Sequence, residues 1–220
     1  MKKTKRAALL PLLVLLASYG ICQAQDDLQP GVERWAIKTS LAPNPRSKKS
    51  TIDVLLSLPN PIASKKDASE TVRISKTVGG LKEGDIVTIT GWLLLVALED
   101  DAKKHRDGDF HIQIRPGADW ADSCLVVEIP DSDFVSDPDL KAKCAQARQF
   151  VVTKLLKNKQ PGTAGNKMVH PVFVTITGQL FFDAVHMSGP PRGKKGMHSY
   201  TCWELHPVTS MAFAPKPAGS

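Results

Sequence analysis

From Leu81 onward, apolar and polar positions fall into short runs with the period of a β-strand, each with a recognisable boundary. Residues 85–97 form a long β-rich run after the turn signal Lys82-Glu83-Gly84. Residues 109–115 alternate strictly: Phe110, Ile112 and Ile114 occupy one face, Asp109, His111, Gln113 and Arg115 the other. Residues 123–129 make a third strand, ended by Pro130-Asp131. Asp137-Pro138 then supplies an N-cap followed by a proline at the first helical position. The helix it predicts runs to about Lys157, with Leu140, Cys144, Ala147, Val151 and Leu155 on one apolar face. Residues 168–185 and 200–213 are the fourth and fifth strand regions. Upstream, residues 25–70 are rich in Pro, Ser, Asn and Lys, with strand-like apolar content only at 52–58, and are predicted to form an extended or partly disordered arm.

The predicted class is therefore mainly β, with one helix between strands three and four. A five-stranded barrel with its helix in that place is the plan of the OB-fold. The domain spans residues 71–213, and 214–220 is a tail. An internal echo supports the barrel: Val87-Thr-Ile-Thr-Gly91-Trp-Leu93 recurs as Val174-Thr-Ile-Thr-Gly178-Gln-Leu180, in the first and fourth strands. A glycine inside a long strand suits a bulge or a tight bend where a small barrel curls.

The first 24 residues have a different pattern. Lys2, Lys3, Lys5 and Arg6 precede an apolar run at 7–19, and Cys22-Gln23-Ala24 forms a small-residue site before Gln25. This is the order of a secretory signal peptide, with cleavage expected after Ala24 and no membrane anchor left afterwards, since the run is shorter than the ~20 residues that span a bilayer. The mature protein is expected in the periplasm or outside the cell. Tyr19-Gly20-Ile21 suits lipidation of Cys22 poorly. Removing the signal leaves 25 basic and 22 acidic side chains, a formal charge of +3 in place of +7. At that balance only local clustering of charge argues for an anionic partner.

Residues 71–213 resemble an OB-fold domain. The strings Asp107-Gly-Asp-Phe-His-Ile-Gln-Ile114, Val127-Glu-Ile-Pro-Asp131 and Glu204-Leu-His-Pro-Val208 are similar to those of a group of small exported bacterial proteins of unestablished function. The resemblance implies the fold and a shared site, and brings no activity. Secreted staphylococcal-type nucleases share the barrel, but their catalytic arginine and carboxylate pattern does not map onto these strands.

An OB barrel usually binds ligands across strands two and three, between the loop joining strands one and two and the loop joining four and five. Here those loops are residues 99–108 and 186–199. The first mixes Glu99, Asp100 and Asp101 with Lys103, Lys104, His105 and Arg106; the second concentrates Arg192, Lys194 and Lys195. Alternation turns His111 and Gln113 on strand two, Glu128 on strand three, and Glu204 and His206 on strand five to the outward face. Since those strands are neighbours in the barrel, two histidines and two carboxylates share one surface. Three arrangements fit: a hydrogen-bonding platform for a ligand, a site for a divalent metal on His111, Glu128 and His206 with the N/O ligands such ions accept, or a catalytic acid/base pair. A cross-strand Glu/His ladder that only stabilises the sheet would look the same in sequence. Trp203 and Phe110 belong to the core face, whereas an exposed Trp120 would offer a stacking surface for bases or sugars.

Export leaves Cys124, Cys144 and Cys202 in a compartment that permits disulfides. Cys124 precedes Glu128 by the same four residues that separate Cys202 from His206, so a Cys124–Cys202 bridge between parallel strands is expected. The preferred reading is an exported binding protein that engages nucleic acid or an oligosaccharide on the face of strands two, three and five. The alternative is a metal-dependent, nuclease-like hydrolase using the same His/Glu cluster. An adaptor for an envelope protein is a third class.

Overall fold

The computed structural model describes residues 33–99 and 107–217, so residues 1–24, expected to be a signal segment, and residues 100–106 of the first loop lie outside the described residues. The chain runs α1 (Trp35–Lys38), β1 (Ser47–Lys49), α2 (Ile52–Leu56), β2 (Ile86–Leu98), β3 (Phe110–Arg115), β4 (Leu125–Ile129), α3 (Pro138–Phe150), β5 (Asn166–Phe182) and β6 (Trp203–Phe213). Neighbours follow the order β2-β3-β4-β6-β5, and β5 pairs back to β2, closing a five-stranded barrel. All pairs within the barrel are antiparallel except β4 with β6. With α3 between the third and fourth barrel strands, this is an OB-fold-like barrel.

The repeated Val-Thr-Ile-Thr-Gly segments lie directly against each other. Val87 is opposite Gly178, Ile89 opposite Ile176 and Gly91 opposite Val174, so the echo is a cross-strand pairing. Its isoleucines and valines enter the barrel core, while Thr88 and Thr177, and Thr90 and Thr175, join hydroxyls on the other face at 2.9 and 3.2 Å. Gly178 does sit at a bulge, in the β5–β6 ladder; the register shift in β2 comes later, between Leu93 and Leu95. From Trp92 to Ala97 every residue of β2 is buried, because this stretch has a second apolar cluster on its outer side, with Cys124 and Met197.

α3 starts where expected: Asp137 Oδ1 accepts the Leu140 N–H at 2.7 Å, and Leu140, Cys144 and Ala147 are buried over the barrel end. Its last turn widens to a π-turn over Val151–Leu155.

The arm needs correction. From Glu33 onward it lies on the barrel, and residues 52–56, expected to be strand-like, form α2 with Thr51 as N-cap. Ile37, Ile52, Leu55 and Leu58 are buried. β1 adds to the edge of the sheet in parallel with β2. Arg34 grips Glu83 through both guanidinium nitrogens at 2.6 and 2.8 Å, both side chains almost fully buried, and also donates to the Phe182 carbonyl at 2.7 Å. Composition reported the scarcity of regular structure correctly, but it cannot register anchors whose partners lie some fifty to a hundred and fifty residues away.

Candidate metal centre

Glu128 is central to the polar face. The β3–β4 ladder sets His111 opposite it, and the parallel pairing of Val127 with Leu205 makes His206 its neighbour on the other side. Each carboxylate oxygen therefore meets a different imidazole: Oε1 lies 3.0 Å from His111 Nδ1, and Oε2 lies 3.2 Å from His206 Nδ1. Glu99, at the end of β2, brings its Oε1 to 3.3 Å from His111 Nδ1. Glu204 Oε1 stands 3.2 Å from His206 Nδ1, and Asp109 Oδ2 stands 3.2 Å from His206 Nε2. The ladder of alternating His and Glu is present, and it is richer in acid than the sequence reading made it.

These residues share a face as expected, but that face is not an open surface. Gln113, Glu204 and His206 are fully buried and His111 is 4% exposed. Alternation assigns a side chain to one face of a strand and says nothing about what lies on top. Here the segment between β5 and β6 folds over the face. Gln113 Oε1 accepts the Lys194 backbone N–H at 2.7 Å, and its Nε2 donates to the carbonyls of Lys194 and Met197 at 3.3 and 3.4 Å. Arg192 donates to Asp183 at 2.9 Å and also pairs with Glu204, so it is bound inside the network and is not a free clamp for anions. Lys194 pairs with Glu99 at 3.3 Å, and Lys195 is exposed in a left-handed turn. Lys38 adds a buried cation from the arm near Asp183, Glu33, Glu128 and Glu204. Solvent reaches the cluster at one end, where the side chains of Glu99 and Glu128 are 33% and 12% exposed.

Charge balance follows from this crowding. Burial disfavours a charged imidazole at His206, but the negative charge of the Asp109, Glu128 and Glu204 carboxylates around it outweighs this and holds the group well above its ordinary value. Burial likewise works against the Glu128 carboxylate, yet His111 and His206 keep it well below the usual range. Asp183 is also buried and is held low by Arg192, His186 and Lys38. At Asp107 burial wins: with Asp109 and Glu128 nearby it pushes the carboxyl up to about 7, against the weaker pull of the Asp109 N–H and Lys38.

The hydrogen-bond roles bear on what His111 can do. Because Gln113 Oε1 takes a backbone N–H from Lys194, the amide orientation is fixed, and Oε1 can only accept. His111 Nε2, 3.3 Å from that oxygen, therefore carries the proton. Nδ1 then faces two carboxylates, an arrangement that needs either a second proton or a cation between them. A glutamine that fixes the tautomer and leaves the other nitrogen toward acidic oxygens is the outer support a metal-ligating histidine requires. Two ligand groups result, Glu99–His111–Glu128 and Asp109–Glu128–His206, and Glu33–Asp183–His186 is a further one among the described residues. The set His111, Glu128 and His206 expected from sequence thus divides between two groups that meet at Glu128. Asp109 was legible, since it alternates with His111 and Gln113, and Glu99 lay in the first loop expected to flank the ligand face; Asp183 and Lys38 had no local signal.

Trp203 and Phe110 are buried as expected, whereas Trp120 is 41% exposed with Lys167 Nζ 4.2 Å from its ring. The Cys124–Cys202 bridge is corrected: all three cysteines are free, buried thiols, and burial pushes each up to about 11. The parallel register holds at Val127 and Leu205, but upstream Ser123 bridges to His198, three residues out of that register. Cys124 consequently joins the outer cluster beside Met197 while Cys202 packs in the barrel core.

Fold and site together define an OB-fold-like barrel carrying a buried histidine and carboxylate centre. No protein-family model and no curated protein matches the chain. Among solved structures it is similar to Entamoeba histolytica asparaginyl-tRNA synthetase in complex with asparaginyl-adenylate, at 18% identity and a TM-score of 0.29, over 62% of this chain and 23% of that one.

Proposed function

We propose that the protein is an exported, divalent-metal-dependent hydrolase on an OB-fold barrel, with Glu99, His111 and Glu128 holding the ion at the solvent-facing end of the cluster. Export is supported by the ordered basic, apolar and small-residue segments before Gln25. The observation that carries the metal reading is the position of His111 Nδ1 between two carboxylates while Gln113 occupies its other nitrogen. An ion of the zinc or manganese type, bound there, supplies polarisation of a substrate oxygen and a water of lowered pKa. The chain's own residues do the rest: Gln113 orients the imidazole, Lys194 balances Glu99, and the segment that carries Arg192 and Lys194 keeps water off the inner side of the centre.

Isothermal titration of the chelator-stripped mature protein with Mn2+ or Zn2+ tests this. Saturable binding is expected in the wild type, with the equivalent held at this end lost in His111→Ala and the full stoichiometry kept in His198→Ala, whose imidazole pairs with Asp122 outside the cluster. A wild type that binds neither ion would end the metal reading.

One observation favours a second reading, binding of single-stranded nucleic acid or an oligosaccharide without chemistry: the exposed Trp120 beside Lys167 is a stacking surface with a cation. Anisotropy of a labelled single-stranded oligonucleotide separates the two. A rise that decays only with metal supports the hydrolase; a stable, salt-sensitive rise that Trp120→Ala removes supports the binding module.

A further inference from the structure

The second ligand group, deeper in the barrel face, is incomplete as it stands. Asp109 Oδ2 and His206 Nε2 are both buried and stand 3.2 Å apart, but the contact lacks hydrogen-bond geometry and neither atom has another hydrogen-bond partner. Buried polar atoms are nearly always satisfied, so an unpaired acceptor and an unpaired nitrogen that face each other mark a place where something is bound. The spacing suits an ion: two ligand atoms each about 2.1 Å from one metal, and about 100° apart around it, are about 3.2 Å from each other. The other nitrogen of His206 is already engaged by Glu204 Oε1 at 3.2 Å, so the ring is oriented by a carboxylate in the way a ligating histidine is. Glu204 is in turn held by Arg192. In each group the donor atoms lie within 4.8 Å of one another, and the two groups have Glu128 alone in common.

We infer that the centre holds two divalent ions bridged by Glu128, the second one bound by Asp109, Glu128 and His206, and that its substrates are phosphate esters. This deepens the metal reading and rests on it. The bridging role follows from Glu128's place between the two histidines, Oε1 3.0 Å from His111 and Oε2 3.2 Å from His206, which makes it a member of both ligand groups. Two ions that share a carboxylate lie about 3.5–4 Å apart, the spacing that steadies both the attacking and the departing oxygen of an in-line displacement at phosphorus. In that hydrolysis a water oxygen forms a new P–O bond as the bond to the departing alcohol oxygen breaks, and the water's proton ends on the alcohol. Glu99, and with it Lys194, stands at the solvent-facing end, where a phosphate group would enter.

The stoichiometry of Mn2+ on the chelator-stripped mature protein decides the matter, measured by calorimetry and by low-temperature electron paramagnetic resonance. Two ions per chain with an exchange-coupled signal are expected. Asp109→Asn and His206→Ala should each leave one ion with the six-line spectrum of isolated Mn2+, and Glu128→Ala should lose both. Hydrolysis of bis(p-nitrophenyl) phosphate should require the second equivalent. A wild type that binds one ion, with an uncoupled spectrum, overturns the second site and leaves the metal reading standing; no bound ion overturns both. The wild-type spectrum decides even if a variant fails to fold.

Discussion

At the scale of single residues, His206 is a buried imidazole among three carboxylates, and Glu128 is a carboxylate between two imidazoles. Their opposite shifts predict how the metal-free protein responds to pH. His206 is raised above its ordinary 6.5, so the folded state keeps a proton the unfolded chain has given up. Its contribution is complete below 6.5 and is lost as the pH climbs through the raised folded value. Glu128 is depressed below its ordinary 4.5; its contribution is present above 4.5 and is lost as the pH falls through the depressed value. With chelator present, thermal stability should therefore be highest between those limits and decline on both sides. His206→Asn should lower the maximum and flatten the alkaline decline. Melting curves collected from acid to alkaline pH check this, and an alkaline decline equally steep in the variant would show that His206 is not its source.

Among the elements, β2 is the most informative. Its first half alternates and pairs with the repeat in β5; at Gly91 the pattern gives way to Trp-Leu-Leu-Leu-Val-Ala, buried on both faces. Gly91 is where α2 crosses the strand. A Cβ there would lie 2.3 Å from Ile52 Cδ1 and 2.7 Å from the Arg115 carbonyl oxygen, and the carbonyl belongs to a ladder that cannot move aside. Gly91→Ala should cost about 1–3 kcal/mol, the usual range for overpacking. Gly178→Ala meets nothing closer than 3.0 Å and should cost less. Urea denaturation of both variants measures the difference, and equal midpoints would mean that α2 does not bear on Gly91.

The same strands explain what was legible in the sequence. The five strands, the cap at Asp137 and the sharing of a face by His111, Glu128 and His206 are local patterns, set by alternation, capping and the order of elements. The cover over that face was not legible, because it depends on the Gln113 amide meeting the Lys194 peptide, a contact across 81 residues. Free Cys124 and Cys202 follow from the slip between the Ser123–His198 bridge and the Val127–Leu205 pair, which equal spacing from Glu128 and His206 cannot reveal.

For the molecule as a whole, the consequence is that the barrel does not end at its strands. Residues 33–60 supply Ile52, Leu55 and Leu58 to the core, the Pro59 carbonyl to the Trp203 indole N–H at 3.0 Å, and Arg34 to Glu83. Burial of each Ile or Leu is worth about 1.5–3 kcal/mol. Removing one partner of a buried ion pair typically costs a further 3–5 kcal/mol or so. Their sum is of the same order as the roughly 5–15 kcal/mol by which a whole domain is stable. A fragment that begins at Thr71 keeps every barrel strand but leaves Glu83 buried with its charge unmatched, and should lack a cooperative thermal transition. Within the full chain, Arg34→Ala alone should lose about 3–5 kcal/mol, while the double change Arg34→Met with Glu83→Leu should recover much of it, because no buried charge is then left without a partner. Circular dichroism of the fragment and denaturation of the two variants test the same point separately. If the fragment melted cooperatively at the temperature of the full chain, the barrel would be a self-sufficient domain and the N-terminal segment only its covering.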